Sequence, residues 1–268
     1  MSEIERIFGR TPCLVGVAHL LPLPGSPRWD GDMSAVIGRA VADASALERA
    51  GFHGIIIENY GDVPFSRGFA GRGAVAAMAA VGARVRDRVA LPLGVNVLRN
   101  DALSAVAVAA AIDASFIRVN VHVGAAVTDQ GIVEGEAMET MRAIRATKPD
   151  LAVFADLMVK HAAPLGGRSL EASASDAVER GLATAVIVTG DATGAAASLD
   201  DARRAASAVP GTPVFVGSGV NVETVAAALA AADGVIVGSA LMADGVAGGP
   251  IEEARAAAVV RAARAESS

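Results

Sequence analysis

The feature that most limits what this chain can become is an eightfold recurrence. A short run of β-branched and other apolar residues is followed by a Gly/Asn/Asp/Ser-rich loop and then by an Ala-rich segment with helical spacing. The runs are Leu14–Ala18, Gly54–Ile57, Leu93–Asn96, Phe116–Asn120, Ala152–Asp156, Ala185–Val188, Val214–Gly217 and Val235–Gly238. Each is too short for a helix and apolar on both faces, the pattern of a parallel strand buried between two layers. The segments between them are Ser34–Ala50, Gly73–Arg86, Ala102–Asp113, Glu136–Thr147, Ala172–Arg180, Leu199–Ala208, Val222–Ala231 and Glu252–Ala265. They carry Asp, Glu and Arg on one face and Ala, Val and Leu on the other. Glycine after Ala50 and Arg180, and Pro149 and Pro210 after two other segments, supply stop signals.

Strict β-α alternation over 268 residues allows a closed (β/α)8 barrel or an open doubly wound sheet. The open sheet needs a glycine-rich phosphate fingerprint after its first strand. Here Ala18-His-Leu-Leu-Pro-Leu-Pro-Gly-Ser-Pro follows, which has no such spacing and cannot begin a helix among its prolines. The expected fold is therefore α/β, a single (β/α)8 barrel domain over 1–268, with long βα loops at 19–33 and 58–73 covering its C-terminal face.

Composition narrows the partners. A chain 53% hydrophobic and 19% charged is not disordered, and a net charge of −6 argues against nucleic acid. The lone Cys13 excludes an internal disulfide framework and a multi-cysteine zinc site, and fits a reducing compartment. No window reaches the roughly 18 uninterrupted apolar residues of a spanning helix. The first eight residues are acidic and lack an apolar core, unlike a signal peptide. A soluble cytoplasmic protein is expected.

Barrel chemistry sits where strands pass into βα loops. Those junctions hold His19, Glu58-Asn59-Tyr60, Asn96 with Arg99, Asn120 with His122, Asp156 with Lys160-His161, Thr189 with Asp191, Ser218 and Ser239. Some polar residues there are turn and helix-cap residues, a role that suits Asp101, Ser198 and Asn221. Glu58, Asn96, Asn120 and Asp156 end the strands themselves and would line the mouth. Glu58 and Asp156 are the candidate acid and base, with Lys160, His161 or His19 stabilising negative charge. Asn59, Asn96, Arg99, Asn120, His122, Thr189 and Asp191 are candidate substrate contacts.

Lys160 is one of two lysines among 23 basic residues. Retaining an amine there suits a charge partner for an anion better than a covalent nucleophile, because it lies beyond the strand. Val214-Phe-Val-Gly217-Ser218-Gly219 and Gly234-Val-Ile-Val-Gly238-Ser239 put small residues at the ends of strands 7 and 8, where barrels bind phosphate through backbone N–H groups. Trp29, Tyr60, Phe65 and Phe69 lie in the two long loops and would form a lid or an oligomer contact. A divalent ion on Glu58, Asp156 and Asp191 is an alternative use of those carboxylates, but no cofactor or metal is assigned.

Several long motifs resemble one family. Gly16-Val-Ala-His19-Leu-Leu-Pro-Leu-Pro-Gly25-Ser-Pro, Glu58-Asn59-Tyr60-Gly-Asp62-Val-Pro-Phe65, Pro92-Leu-Gly-Val-Asn96-Val-Leu-Arg99-Asn100-Asp101, Phe116-Ile-Arg118-Val-Asn120 and Phe154-Ala-Asp156-Leu-Met-Val-Lys160-His161 are similar to the BtpA/SgcQ family. The resemblance implies a ribulose-phosphate-binding-like TIM barrel. It also implies relatives linked in cyanobacteria to photosystem I biogenesis at the membrane, and others that accompany sugar-uptake genes. The Ala-rich stretch Val123–Val127 departs from a chemistry-bearing loop.

Two functions are expected to compete. One is an enzyme acting on a phosphorylated sugar or ribosyl compound by lyase, isomerase or glycosyl-bond chemistry. The other is a non-catalytic, membrane-peripheral assembly factor docking through its aromatic loops. A homo-oligomer fits either.

Overall fold

The computed structural model describes residues 2–157, 162–190 and 197–265. Eight parallel strands close a barrel: β1 (Cys13–His19), β2 (Gly54–Glu58), β3 (Leu93–Asn96), β4 (Phe116–Val119), β5 (Ala152–Asp156), β6 (Ala185–Val188), β7 (Val214–Val216) and β8 (Gly234–Val237). They pair in chain order and β8 returns to β1. Every expected strand is present. Asn120, Gly217 and Gly238 fall just past their strands, because ladder pairing stops one residue before the apolar run does.

Nine helices are described: α1 (Glu3–Phe8), α2 (Met33–Ala50), α3 (Arg72–Arg86), α4 (Ala102–Ala111), α5 (Ala137–Thr147), α6 (Leu170–Ser175), α7 (Leu199–Ala208), α8 (Val225–Ala231) and α9 (Glu253–Ala265). Side-chain caps set several starts. Asp101 accepts from the Ser104 N–H and Ser198 from the Asp201 N–H, each satisfying an orphan donor of the first turn. The expected helix Ala172–Arg180 is divided: α6 begins earlier, under a Ser169 cap, and widens into a π-helical turn over Asp176–Arg180.

Strand periodicity separates two apolar compartments. Outward residues such as Leu14, Ile55, Ile57, Val95, Val153 and Val186 pack against the helices. Inward residues Val15, Val17, Ile56, Phe116, Phe154, Ile187, Phe215 and Ile236 fill the barrel. Cys13 is among them, and burial pushes its thiol up to about 12, which removes it as a nucleophile at neutral pH.

Two elements were not foreseen. Helix α1, with a Ser2/Glu5 capping box and a left-handed Gly9 end, turns Ile4, Ile7 and Phe8 into the floor of the barrel. The Phe8 ring meets Phe116 edge-on at 5.5 Å, and Gly54, the first residue of β2, leaves room for it. The second is a small antiparallel sheet of Ala125–Thr128, Gly131–Glu134 and Ala162–Pro164. The Ala-rich stretch after His122 is therefore a strand of this sheet, with Ala126 and Val133 buried beside Val121.

Candidate active site at the mouth of the barrel

Each of the first five strands ends its inward-facing row on a polar side chain. The rows are Cys13-Val15-Val17-His19, Gly54-Ile56-Glu58, Gly94-Asn96, Phe116-Arg118-Asn120 and Ala152-Phe154-Asp156. Register brings the ends level, since His19 pairs with Glu58 and Glu58 with Asn96. The same alternation that fills the barrel with apolar groups thus delivers a polar layer at its top.

That layer forms one wall of a cavity of about 320 Å³. His19, Glu58, Arg118, Asn120 and Asp156 line it together with Gly217–Asn221 and Gly238–Ala240, which follow β7 and β8. Tyr60, Phe65, Leu98 and Arg99 complete the rim.

The Asp156 carboxylate accepts from Arg118 Nε at 3.0 Å, from Arg118 Nη2 at 3.1 Å and from Asn120 Nδ2 at 2.8 Å. Asn96 lies beneath, donating to the Arg118 carbonyl and to Asn120 Oδ1. Burial works against the charge of Arg118, but Asp156 and Glu58 overcome it and hold the guanidinium above its ordinary range. Glu58 Oε2 is 4.0 Å from Arg118 and its Oε1 is 3.4 Å from His19 Nε2. His19 accepts at Nδ1 from the Gly248 N–H, and its ring stacks on Tyr60 at 4.2 Å. After β7 the Ser218 Oγ is buried and has no hydrogen-bond partner among the described residues. A paired carboxylate, a carboxylate beside an imidazole, and an unsatisfied hydroxyl between glycines can together position an anionic ligand and move a proton.

A family model described as the BtpA family matches residues 10–265. The chain belongs to the BtpA family. The photosystem I biogenesis protein BtpA of Synechocystis sp. is 45% identical over 249 residues, covering 93% of this chain and 87% of that one. An uncharacterized protein of Pyrococcus furiosus is 46% identical over 97% of both chains. Among solved structures, native KDPGal has a TM-score of 0.59 at 19% identity, covering 94% of each chain. Phosphoribosyl anthranilate isomerase from Thermus thermophilus has a TM-score of 0.57 at 13% identity, covering 95% of this chain and 99% of that one. Both likenesses are of fold.

In this BtpA-family barrel not every residue expected at the site faces the cavity. Asn59 is turned away: its Oδ1 accepts from the Leu98 N–H and its Nδ2 donates to Asp62, which in turn accepts from the Leu23 N–H. It ties the second long loop to the loop after β3 and, through Asp62, to the first long loop. His122 bonds through Nε2 to the Gly181 carbonyl at 2.7 Å, and burial lowers its pKa. Asn96 supports the cavity wall from below, and Thr189 is buried at the end of β6. Trp29 is half-buried against the helix layer, whereas Phe69 is 59% exposed outside the cavity. Lys160, His161 and Asp191 lie outside the described residues. Among the described residues no three His, Cys, Asp or Glu side chains are grouped to hold a metal ion, and no helix is long and apolar enough to cross a membrane.

Arg118 is the residue that sequence reasoning passed over. Its signal is an arginine within a four-residue strand otherwise made of Phe, Ile and Val, two positions before Asn120 and therefore on the same inward row.

Proposed function

We propose that this BtpA-family protein is an enzyme acting on a small phosphorylated sugar or ribosyl compound. The observation that carries the reading is that one cavity is lined both by the Glu58/His19 and Arg118/Asp156 groups and by the glycine- and serine-rich segments after β7 and β8. In this reading the phosphate lies against Gly217, Ser218, Gly219, Gly238 and Ser239, with Ser218 Oγ supplying a donor. About 320 Å³ is the low end of ligand pockets and suits a phosphosugar better than a dinucleotide.

Glu58 and His19 exchange the proton, and Arg118 faces the negative charge that develops. Asp156 holds Arg118 and Asn120 in place, a role closer to positioning than to acid or base. Lyase, isomerase and glycosyl-bond chemistry all draw on this set. Arg99 and Asn120 contact the substrate, and Tyr60 and Phe65 cover it.

The test is calorimetric titration with ribose 5-phosphate, unphosphorylated ribose and inorganic phosphate, followed by turnover assays on a phosphosugar panel. Ser218→Val should weaken phosphate-bearing ligands at least tenfold and leave ribose unchanged, and Glu58→Gln should bind but not turn over. Equal binding of ribose and ribose 5-phosphate, or binding untouched by Ser218→Val, defeats the reading.

A second reading, a biogenesis factor for a membrane complex, draws support from the name of the Synechocystis relative and from the exposed Phe69. Fractionation of the native source that finds the chain away from membranes, with Phe69→Asp lacking any phenotype, counts against it.

A further inference from the structure

We infer that Asp43 and Arg39, on α2 and outside the cavity, are positioning residues that place the proton of His19 on Nε2. The inference rests on the reading that His19 exchanges a proton beside Glu58. Asp43 is 2% exposed although it lies outside the cavity. Its Oδ2 accepts from Arg39 Nε at 2.7 Å and its Oδ1 from the Ile251 N–H at 2.9 Å. Arg39 Nη2 reaches on to the Gly248 carbonyl at 3.2 Å, and the Gly248 N–H donates to His19 Nδ1 at 3.0 Å.

A ring nitrogen that accepts a hydrogen bond carries no proton. The neutral imidazole is thereby held with its hydrogen on Nε2, the nitrogen 3.4 Å from Glu58 Oε1. The opposite tautomer would set two N–H groups against each other at Nδ1 and present a lone pair to the carboxylate. Selection of the tautomer therefore depends on where the Gly248 N–H points.

Two features support a role for Asp43 and Arg39 in that direction beyond closing the segment 242–251. The segment is already closed by its own bridge between Met242 and Ile251 and by the Ala243 N–H donating to the Pro250 carbonyl. The α2 pair adds restraints at Gly248 and Ile251, on either side of the segment's last turn. Gly248 itself has φ +88°, a left-handed conformation natural to glycine, and a Cβ there would lie 3.4 Å from the Tyr60 ring that stacks on His19. Gly248, Tyr60 and His19 are one packed unit, and the Arg39 bond to the Gly248 carbonyl ties the residue that bears the N–H to α2. Burial raises the pKa of Asp43 against the opposing pull of its Ile251 and Arg39 bonds. A carboxylate kept so deep, with these bonds directed to the segment and to Arg39, matches a group retained for orientation.

The test is imidazole ¹⁵N–¹H correlation spectroscopy on the full-length chain labelled with ¹⁵N-histidine, at neutral pH. His19 is assigned from the signals lost in His19→Asn. The native protein should show His19 as a single Nε2–H tautomer. In Asp43→Asn and in Arg39→Gln it should become an exchange-averaged mixture, while His53 and His122 stay unchanged. Arg39→Lys, which keeps a cation for Asp43 but not the fork that also reaches Gly248, should fall between. If Asp43→Asn does not fold, Arg39→Gln decides, because it leaves the Asp43–Ile251 bond in place. An unchanged His19 tautomer in Arg39→Gln, or parallel changes at all the assigned histidines, overturns the inference. Full turnover by His19→Asn would instead remove the acid–base reading and leave the tautomer result standing.

Discussion

The guanidinium of Arg118 grips the carboxylate of Asp156 in a two-point contact between neighbouring strands, with Nε to Oδ1 at 3.0 Å and Nη2 to Oδ2 at 3.1 Å. Both side chains are buried, so each charge depends heavily on the other. Replacing Asp156 with Ala should cost about 3–5 kcal/mol in urea unfolding, the usual penalty for stranding one member of a buried pair. Arg118→Lys loses the planar fork and should recover only part of the native stability. A loss below about 1 kcal/mol for Asp156→Ala would mean that the pair contributes no more than a surface contact.

His53 sits at the closed end of the barrel, where its Nδ1 accepts from the Leu14 N–H. Burial, with Arg10 and Arg264 nearby, lowers its pKa to about 4. The unfolded chain therefore takes up this proton first as the pH falls. The stability it contributes is complete above the ordinary histidine pKa near 6.5 and drains away towards pH 4. Allowing for partial exposure, the loss is about 1–2 kcal/mol. His53→Gln should flatten this part of the stability–pH curve without removing it, because buried His122 is shifted in the same direction. Chemical denaturation at several pH values measures the difference.

Gly94 lies on β3 facing the barrel interior, and a Cβ there would strike the Phe116 ring. Gly94→Ala should destabilise by about 1–3 kcal/mol through overpacking. Phe116→Leu in the same chain should return part of that loss. A double-mutant cycle with no coupling between the two positions would show that the strain is relieved elsewhere.

Ser218 presents a buried hydroxyl with no partner among the described residues. Ser218→Ala should therefore leave the ligand-free protein as stable as the native one, or up to about 1 kcal/mol more stable. Thermal unfolding with added inorganic phosphate should separate the two proteins. Native Tm should rise with phosphate concentration by mass action, and the variant's should rise less. A phosphate-dependent rise of equal size in both removes Ser218 from the phosphate site.

The barrel was legible because a strand buried on both faces is an unbroken apolar run, and eight such runs have distinctive spacing. Which residues line the mouth was legible only in part. Counting in twos from Ile56 puts Glu58 inward and Asn59 outward, so Asn59 as a loop staple was within reach of the pattern. His122 has inward parity but lies beyond β4, where the pleat no longer governs direction. Helix α1 is six residues long, too short for helical periodicity to register, and its role depends on Phe8 finding a ring partner more than a hundred residues away. The hairpin at Ala125–Glu134 carries too little apolar contrast for an alternating pattern to stand out.

Four of the seven phenylalanines, Phe8, Phe116, Phe154 and Phe215, meet one another at the closed end of the barrel. The rigid, costly-to-alter part of the molecule is thus remote from the loops that would select a ligand. Loop sequence at the mouth can drift, lengthen or be exchanged while the aromatic floor keeps the staves of the barrel in register. An engineer seeking a new specificity on this scaffold would leave α1 and the four rings untouched and redraw the segments after β1, β2, β7 and β8.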